Sequence, residues 1–181
     1  MGLGNPGDEY ARTRHNVGAA VVSILAARHG GRLKKGKERA LVAEVRIAER
    51  RVALAIPLTY MNDSGMSVGP LVRRFGVDAA RVVIVHDELD LPTATLKLKS
   101  GGGIAGHHGL RSVRAALKTD DFARVRIGVD KPPSKEHGAD HVLRRFSKRE
   151  REEVDVTLEH AADAVESIAA DGIAAAMNRY N

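Results

Sequence analysis

Residues Arg81 to Pro92 read RVVIVHDELDLP, and their reading decides the fold. Val82 to Val85 is an unbroken β-branched run, as a strand buried on both faces in the middle of an α/β sheet requires. It gives way abruptly to His86, Asp87, Glu88 and Asp90. Open α/β sheets bind ligands at the carboxyl ends of their strands. A carboxylate there, against apolar walls, can hold and tune a neighbouring base. Asp87 therefore reads as the orienter of a catalytic histidine from elsewhere in the chain. The plainer alternative is a solvated acidic loop after a strand. A metal site is a third reading of His86-Asp87-Glu88-x-Asp90, but the spacing matches no zinc motif, so no metal is expected.

Toward the C-terminus, Leu96 and Leu98 alternate with Lys97 and Lys99, a half-buried strand with a basic outer face. Ser100 to Gly109 is a glycine-rich loop holding His107 and His108, followed by a helix marked by Leu110, Val113 and Leu117. Gly101, Gly103 and Gly106 repeat G-x-G-x-x-G after a strand and before a helix, so a dinucleotide, and with it an oxidoreductase, stays open. Two adjacent histidines fit that reading poorly. Val125, Ile127 and Val129 alternate with Arg124, Arg126 and Gly128, another strand. Lys131 to Gly138 is a Pro-containing polar loop. Ser147 and Glu150 form a capping box for a long helix to about Ala170, with Gly172 as its stop. Ala174 to Met177 adds a short last helix.

Toward the N-terminus, Tyr60 to Gly65 lies between a strand ending at Pro57 and an amphipathic helix (Val68, Leu71, Val72, Phe75) closed by Gly76. Ala40 to Ile47 and Arg51 to Pro57 form a hairpin around Ala48-Glu49-Arg50. Gly30 to Arg39 is a basic loop that either touches phosphate or is simply solvated. Val17, Val21, Ile24, Leu25 and Arg28 mark the first helix, which puts His15 at or just before a helix N-terminus. The positive dipole end there disfavours protonated imidazole, so a carboxylate nearby would be useful. The opening Gly2-Leu3-Gly4-Asn5-Pro6-Gly7 also matches G-x-G-x-x-G. Only Met1 precedes it and no acid follows roughly 20 residues later, so it reads as a tight loop rather than a dinucleotide fingerprint.

The helix–strand alternation predicts an α/β fold, a single domain over 1–181. Its sheet is expected to be mixed, mostly parallel and twisted, with helices on both faces. At 181 residues the chain can bury one core, and with 3% aromatics Val, Leu, Ile and Ala must build it. The absence of cysteine excludes disulfides and thiolate chemistry and suits a cytoplasmic protein. No apolar run is long enough to span a bilayer, and no signal-peptide pattern opens the chain. A net charge of +6 makes nucleic acid a candidate partner.

With Asp87 accepting from one ring nitrogen, His15 could activate water with the other, a contribution of about 10²–10⁴-fold. Asn5 and Asn62 offer amides able to hold a carbonyl or a developing oxyanion. No G-x-S-x-G elbow is present, which favours direct attack by water.

These motifs together closely resemble the bacterial peptidyl-tRNA hydrolase family. The likeness runs nearly end to end: the Gly2–Gly7 loop, Tyr10-x-x-Thr13-Arg14-His15-Asn16-x-Gly18, Tyr60-Met61-Asn62-x-Ser64-Gly65, His86–Pro92, the Gly101–Gly109 loop and Arg124–Gly128. The resemblance implies a monomeric hydrolase without metal or cofactor. It would cleave the ester between a peptide and the terminal ribose of tRNA and so recycle tRNA from stalled translation. It implies His15 as general base, Asp87 as its stabiliser, and Asn5 as the group that tells peptidyl from aminoacyl substrate. Tyr10, Tyr60 and Asn62 would contact the tRNA end, Met61 would line the cleft, and Lys99 and Arg126 would meet phosphates. The alternative on the same fold is an RNA- or partner-binding paralogue without turnover, as for some chloroplast relatives active in splicing.

Three features depart from the family pattern. The family has an apolar strand before the glycine loop, whereas this chain starts almost inside the loop; either the true start lies upstream or the first strand is missing, and a missing strand would remove a central sheet element and loosen Asn5. His108 stands where the family has an asparagine that contacts substrate, which predicts weaker or pH-dependent binding of the tRNA end. Ile104-Ala105 and Thr93-Ala94 replace residues that are usually small or polar and a turn glycine, which predicts a stiffened or misplaced loop.

Overall fold

A computed structural model describes residues 1–132, 134 and 137–181. The loop expected over 131–138 includes Pro133, Lys135 and Glu136, which lie outside the described residues. Six strands are seen: β1 (Lys34–Lys35), β2 (Ala40–Ile47), β3 (Arg50–Pro57), β4 (Val83–Glu88), β5 (Leu96–Ser100) and β6 (Ala123–Gly128). The helices are α1 (Val17–Arg28), α2 (Gly65–Phe75), α3 (His108–Leu117), α4 (Gly138–Val142), α5 (Lys148–Asp171) and α6 (Ile173–Tyr180). The strands form two sheets, ordered β1-β2-β3 and β4-β6-β5.

The expectation of a mostly parallel sheet is corrected. Among the paired strands, β4 and β6 run parallel, whereas β1/β2, β2/β3 and β5/β6 are antiparallel. The reason is chain length. A parallel return needs a crossover of a dozen or more residues. The short segments after β2 and β4 hold no helix, so β3 and β5 must turn back.

Of the expected first strand, residues 1–3 form a single isolated parallel bridge, Gly2 to Val85. Met1 to Leu3 runs between the two sheets and joins them. The Gly2 N–H donates to the Ala55 carbonyl of β3 at 3.0 Å, and the Leu3 N–H donates to the Val85 carbonyl of β4 at 3.0 Å. The Val85 N–H returns to the Met1 carbonyl at 2.9 Å. Helix α1 crosses this seam at backbone contact. A Cβ on Gly18 would lie 2.1 Å from the Val85 carbonyl oxygen, so only glycine lets α1 sit this low over the site.

Helices cover both faces, as the alternation predicts. On one face α1 and α5 pack Val21, Leu25, Leu158 and Ala162 over Val85, Leu98, Val125 and Ile127. On the other, α2 and α3 pack Val68, Leu110 and Val113 over Leu3, Ile84 and Phe122. Burying the Val, Leu, Ile and Phe side chains among these contributes about 1.5–3 kcal/mol each. Two boundary signals hold: Gly76 closes α2 at φ 59°, and Ser147 and Glu150 make the reciprocal capping box that opens α5. Helix α4 had no signal in the apolar pattern.

Candidate active site

The acids of the central strand do not sit in a loop. His86, Asp87 and Glu88 belong to β4 itself, and all three are buried. A buried carboxylate persists only with partners, and Asp87 has two. The His15 Nδ1–H reaches its carboxylate at 2.9 Å, and the His107 Nε2–H reaches Oδ1 at 3.0 Å. Which nitrogen carries the proton follows from the neighbours. His107 Nδ1 accepts the Leu110 N–H at 3.3 Å as the N-cap of α3, so its Nε2 is the donor. His15 turns Nδ1 to Asp87, which leaves Nε2 with a lone pair.

Electrostatics follow from this arrangement. Burial alone would lower the His15 pKa, but the charge and hydrogen bond of Asp87 raise it above its ordinary value. Burial would raise Asp87, yet the two imidazoles hold it well below the usual carboxylate range. His86, fully enclosed and beside His107, is pushed down to about 3. It donates Nδ1–H to the Asp87 carbonyl at 2.6 Å, and its buried Nε2 has no partner among the described residues.

His15 is held from two sides. It lies in a 3-10 turn, Arg14–Asn16, that leads into α1. Arg14 is buried and donates to the Arg145 carbonyl and to Glu150, both at 2.7 Å, while stacking over Phe146 at 4.7 Å. Asn16 clasps Asn5: the Asn5 N–H donates to Asn16 Oδ1 and Asn16 Nδ2 donates to the Asn5 carbonyl, both at 2.9 Å. The Asn5 side chain accepts the Met61 N–H at 2.7 Å through Oδ1, which turns its NH₂ outward as a donor. Asn5 is therefore fixed, not loosened as a missing strand would leave it.

The other expected residues divide by burial. Tyr10 is half-buried, Tyr60 is 59% exposed, and Asn62 and His108 are exposed. His108 opens α3 rather than ending the loop, and its Nδ1 accepts from Arg111 at 2.9 Å. Lys99 is half-buried on β5, opposite Arg124 in register. Arg126 donates through Nε to Glu88 at 3.0 Å. Met61 is 4% exposed and packs with Leu3 and Leu110, so it floors the site from beneath instead of lining its wall.

Comparisons with known proteins identify the family. The sequence model of the family described as peptidyl-tRNA hydrolase matches residues 1–181. The chain belongs to the peptidyl-tRNA hydrolase family. Its relatives include the peptidyl-tRNA hydrolase of Frankia alni, 51% identical over 181 residues, which span 100% of this chain and 92% of that one. That of Mycolicibacterium vanbaalenii is 53% identical over 179 residues, 98% of this chain and 93% of the relative. Among solved structures, the crystal structure of peptidyl-tRNA hydrolase from Acinetobacter baumannii superposes with a TM-score of 0.95 at 39% identity, covering 99% of this chain and 92% of that one.

Membership in the peptidyl-tRNA hydrolase family removes the dinucleotide reading of the 101–109 loop. The loop's own hydrogen bonds agree. A pyrophosphate cradle offers backbone N–H groups, whereas here Arg124 draws the carbonyls of Gly101, Gly102 and Gly103 onto its buried guanidinium. The acidic cluster, whose competing reading was a metal site, is divided as well, because Glu88 pairs with Arg126 while Asp87 turns to the histidines. His15, Asp87 and His107 do bring ligand-type atoms within 4.8 Å of one another. Their N–H···O hydrogen bonds, with protons on the nitrogens facing Asp87, account for that closeness.

Two site residues had no role assigned from the sequence: His107, second partner of Asp87, and Arg124, anchor of the glycine loop. The adjacent histidines in that loop were the one signal pointing to the first. Arg124, alternating with Arg126 on its strand, gave none for the second.

Proposed function

We propose that this chain hydrolyses the ester joining a peptide to the terminal ribose of tRNA, with water as nucleophile. His15 Nε2 takes a proton from the water, whose oxygen adds to the ester carbonyl. The Asn5 NH₂ donates to the carbonyl oxygen as negative charge develops there. The bond to the ribose oxygen then breaks; the peptide leaves as a carboxylate and the ribose hydroxyl regains a proton. Asp87 fixes the His15 tautomer and steadies the imidazolium that forms. The observation carrying this reading is that one ring nitrogen of His15 is engaged by a buried carboxylate and the other is not.

The remaining roles rest on the family resemblance. Tyr10, Tyr60, Asn62 and His108 hold the tRNA end, Met61 supports Asn5 through its backbone, and Lys99 and Arg126 meet phosphates. No cofactor is needed, and the chain acts as a cytoplasmic monomer. Among the described residues no helix is long and apolar enough to cross a membrane.

Release of N-acetylated amino acid from charged tRNA, in the presence of a chelator, tests the reaction. The wild type is expected to turn over, and His15→Ala to lose about 10²–10⁴-fold in kcat. Full activity in His15→Ala would remove the base assignment. Retention of tRNA without turnover by the wild type would identify a binding paralogue instead.

A further inference from the structure

The positive charge of this protein is not spread evenly. Residues 32–51 hold eight cations, Arg32, Lys34, Lys35, Lys37, Arg39, Arg46, Arg50 and Arg51, against Glu38, Glu44 and Glu49. That is a net +5 out of +6 for the whole chain, so the other 161 residues are nearly neutral. All eight cations are exposed. The acids are already committed: Glu49 to Arg46, Glu44 to Arg51, and Glu38 to Arg74. Among the described residues, Arg32, Lys34, Lys35, Lys37 and Arg50 meet no acid. Arg46 and Arg51 face each other directly across β2 and β3. Like charges opposed in this way destabilise a sheet, so the arrangement costs stability within the fold.

This surface lies away from the catalytic groove. In the joined sheet β1 is four strand positions from β4, roughly 19 Å at about 4.8 Å per strand. Lys99 and Arg126, on β5 and β6, lie to the other side of β4. A groove of about 450 Å³ opens among Arg32, Lys34, Lys35 and Arg74, floored by the backbone of Gly30 and Gly36.

We propose that the β1–β3 sheet is a second RNA-binding surface, which takes the phosphate backbone of duplex RNA outside the catalytic groove. The chemistry selects this partner. Residues 32–51 contain no aromatic side chain on which single-stranded bases could stack. They also expose no large apolar side chain that could enter a membrane; the exposed ones are Tyr60, Met66, Leu143 and Val156. What remains is a cluster of exposed cations along β1 and the β2–β3 hairpin, five of them without an acid partner among the described residues, suited to phosphates spaced along a duplex. The proposal does not depend on the role of His15.

The test is binding of the full chain to a blunt RNA duplex of about 20 base pairs, with no single-stranded end, followed by anisotropy across a salt series. Lys34→Gln/Lys35→Gln/Lys37→Gln is expected to weaken binding about tenfold or more and to reduce the log–log salt slope by about two to three. Arg50→Gln/Arg51→Gln should act in the same direction, and Lys97→Gln, at the other edge, should leave binding unchanged. Turnover of charged tRNA by the triple variant should stay within about twofold of wild type if the two surfaces are separate. Unchanged duplex binding in the triple variant, an equal loss in Lys97→Gln, or capture by phosphatidylserine vesicles in place of the duplex would each overturn the assignment.

Discussion

In the β4–β6–β5 half of the sheet, Asp87, Glu88 and Arg124 are buried, and each meets a partner within hydrogen-bond distance. In the β1–β3 half, Arg32, Lys34, Lys35, Lys37 and Arg50 stand in solvent, with no acid beside them among the described residues. The two halves are stitched together by Met1 to Leu3 and share one core, yet they use charge differently. Withdrawing a charge from water costs several kcal/mol unless its partners are well placed. Buried charges are therefore fixed in position, which chemistry on a single carbonyl requires. Exposed charges fix nothing, but their summed potential attracts polyanions over a distance.

The strongest way to break that contrast is Asp87→Asn. An amide leaves the fold's shape but removes the negative charge that raises the His15 pKa. Burial, the larger opposing influence, then pulls His15 downward. In the proposed mechanism the working form of His15 is neutral imidazole, so in the wild type kcat/KM should rise with pH through a pKa above about 6.5. In Asp87→Asn that rise should move to lower pH, while the plateau falls by about 10² or more because the tautomer is no longer imposed. A pH–rate profile measures both. A lower plateau with an unmoved pKa would mean that Asp87 acts only in packing.

Arg124→Met tests the same half at smaller effect. It removes the donor shared by three glycine-loop carbonyls while keeping much of the side-chain volume. Leaving those acceptors without a partner is expected to cost about 1–3 kcal/mol in denaturant unfolding. Because His107 stands at the end of this loop, kcat should fall as well. Equal stability to wild type would show that the loop holds itself.

The reach of the sequence follows the same division between local and distant causes. The Val82–Val85 run, the hairpin and the Ser147–Glu150 capping box depend on neighbours in the chain, and each was legible. The His15–Asp87 pair was legible too, because the base and the carboxylate each sit where element ends predict a site. His107 and Arg124 were not, since their partners lie 20 or more residues away and no periodicity marks them. The boundary of β4 was misplaced for a related reason. His86, Asp87 and Glu88 look like surface residues until their partners are known. The overestimate of parallel pairing came from reading helix–strand alternation without weighing connection length.

The smallest effect separates the two halves through their turns. Ala48 and Glu49 join β2 to β3 with φ of 48° and 63°, and Ala94 precedes β5 at φ 61°. A Cβ in this left-handed region costs about 1–2 kcal/mol. Glycine relieves that cost but gives back about 0.4–1 kcal/mol through the freer unfolded chain. At Glu49 the side chain is almost wholly in solvent and its contact with Arg46 is 3.5 Å, so little else is lost. Glu49→Gly should gain about 0.5–1 kcal/mol, roughly 2–4 °C in Tm per kcal/mol for a chain of this size. At Ala94 the methyl packs against the core beneath α5, so Ala94→Gly also loses burial and should come out near neutral. Glu49→Gly further strips an acid from the basic sheet, so duplex RNA should bind more tightly to the variant as it becomes more stable. A larger gain at Ala94 than at Glu49 would place the greater backbone strain in the catalytic half, opposite to what the exposure of the two side chains predicts.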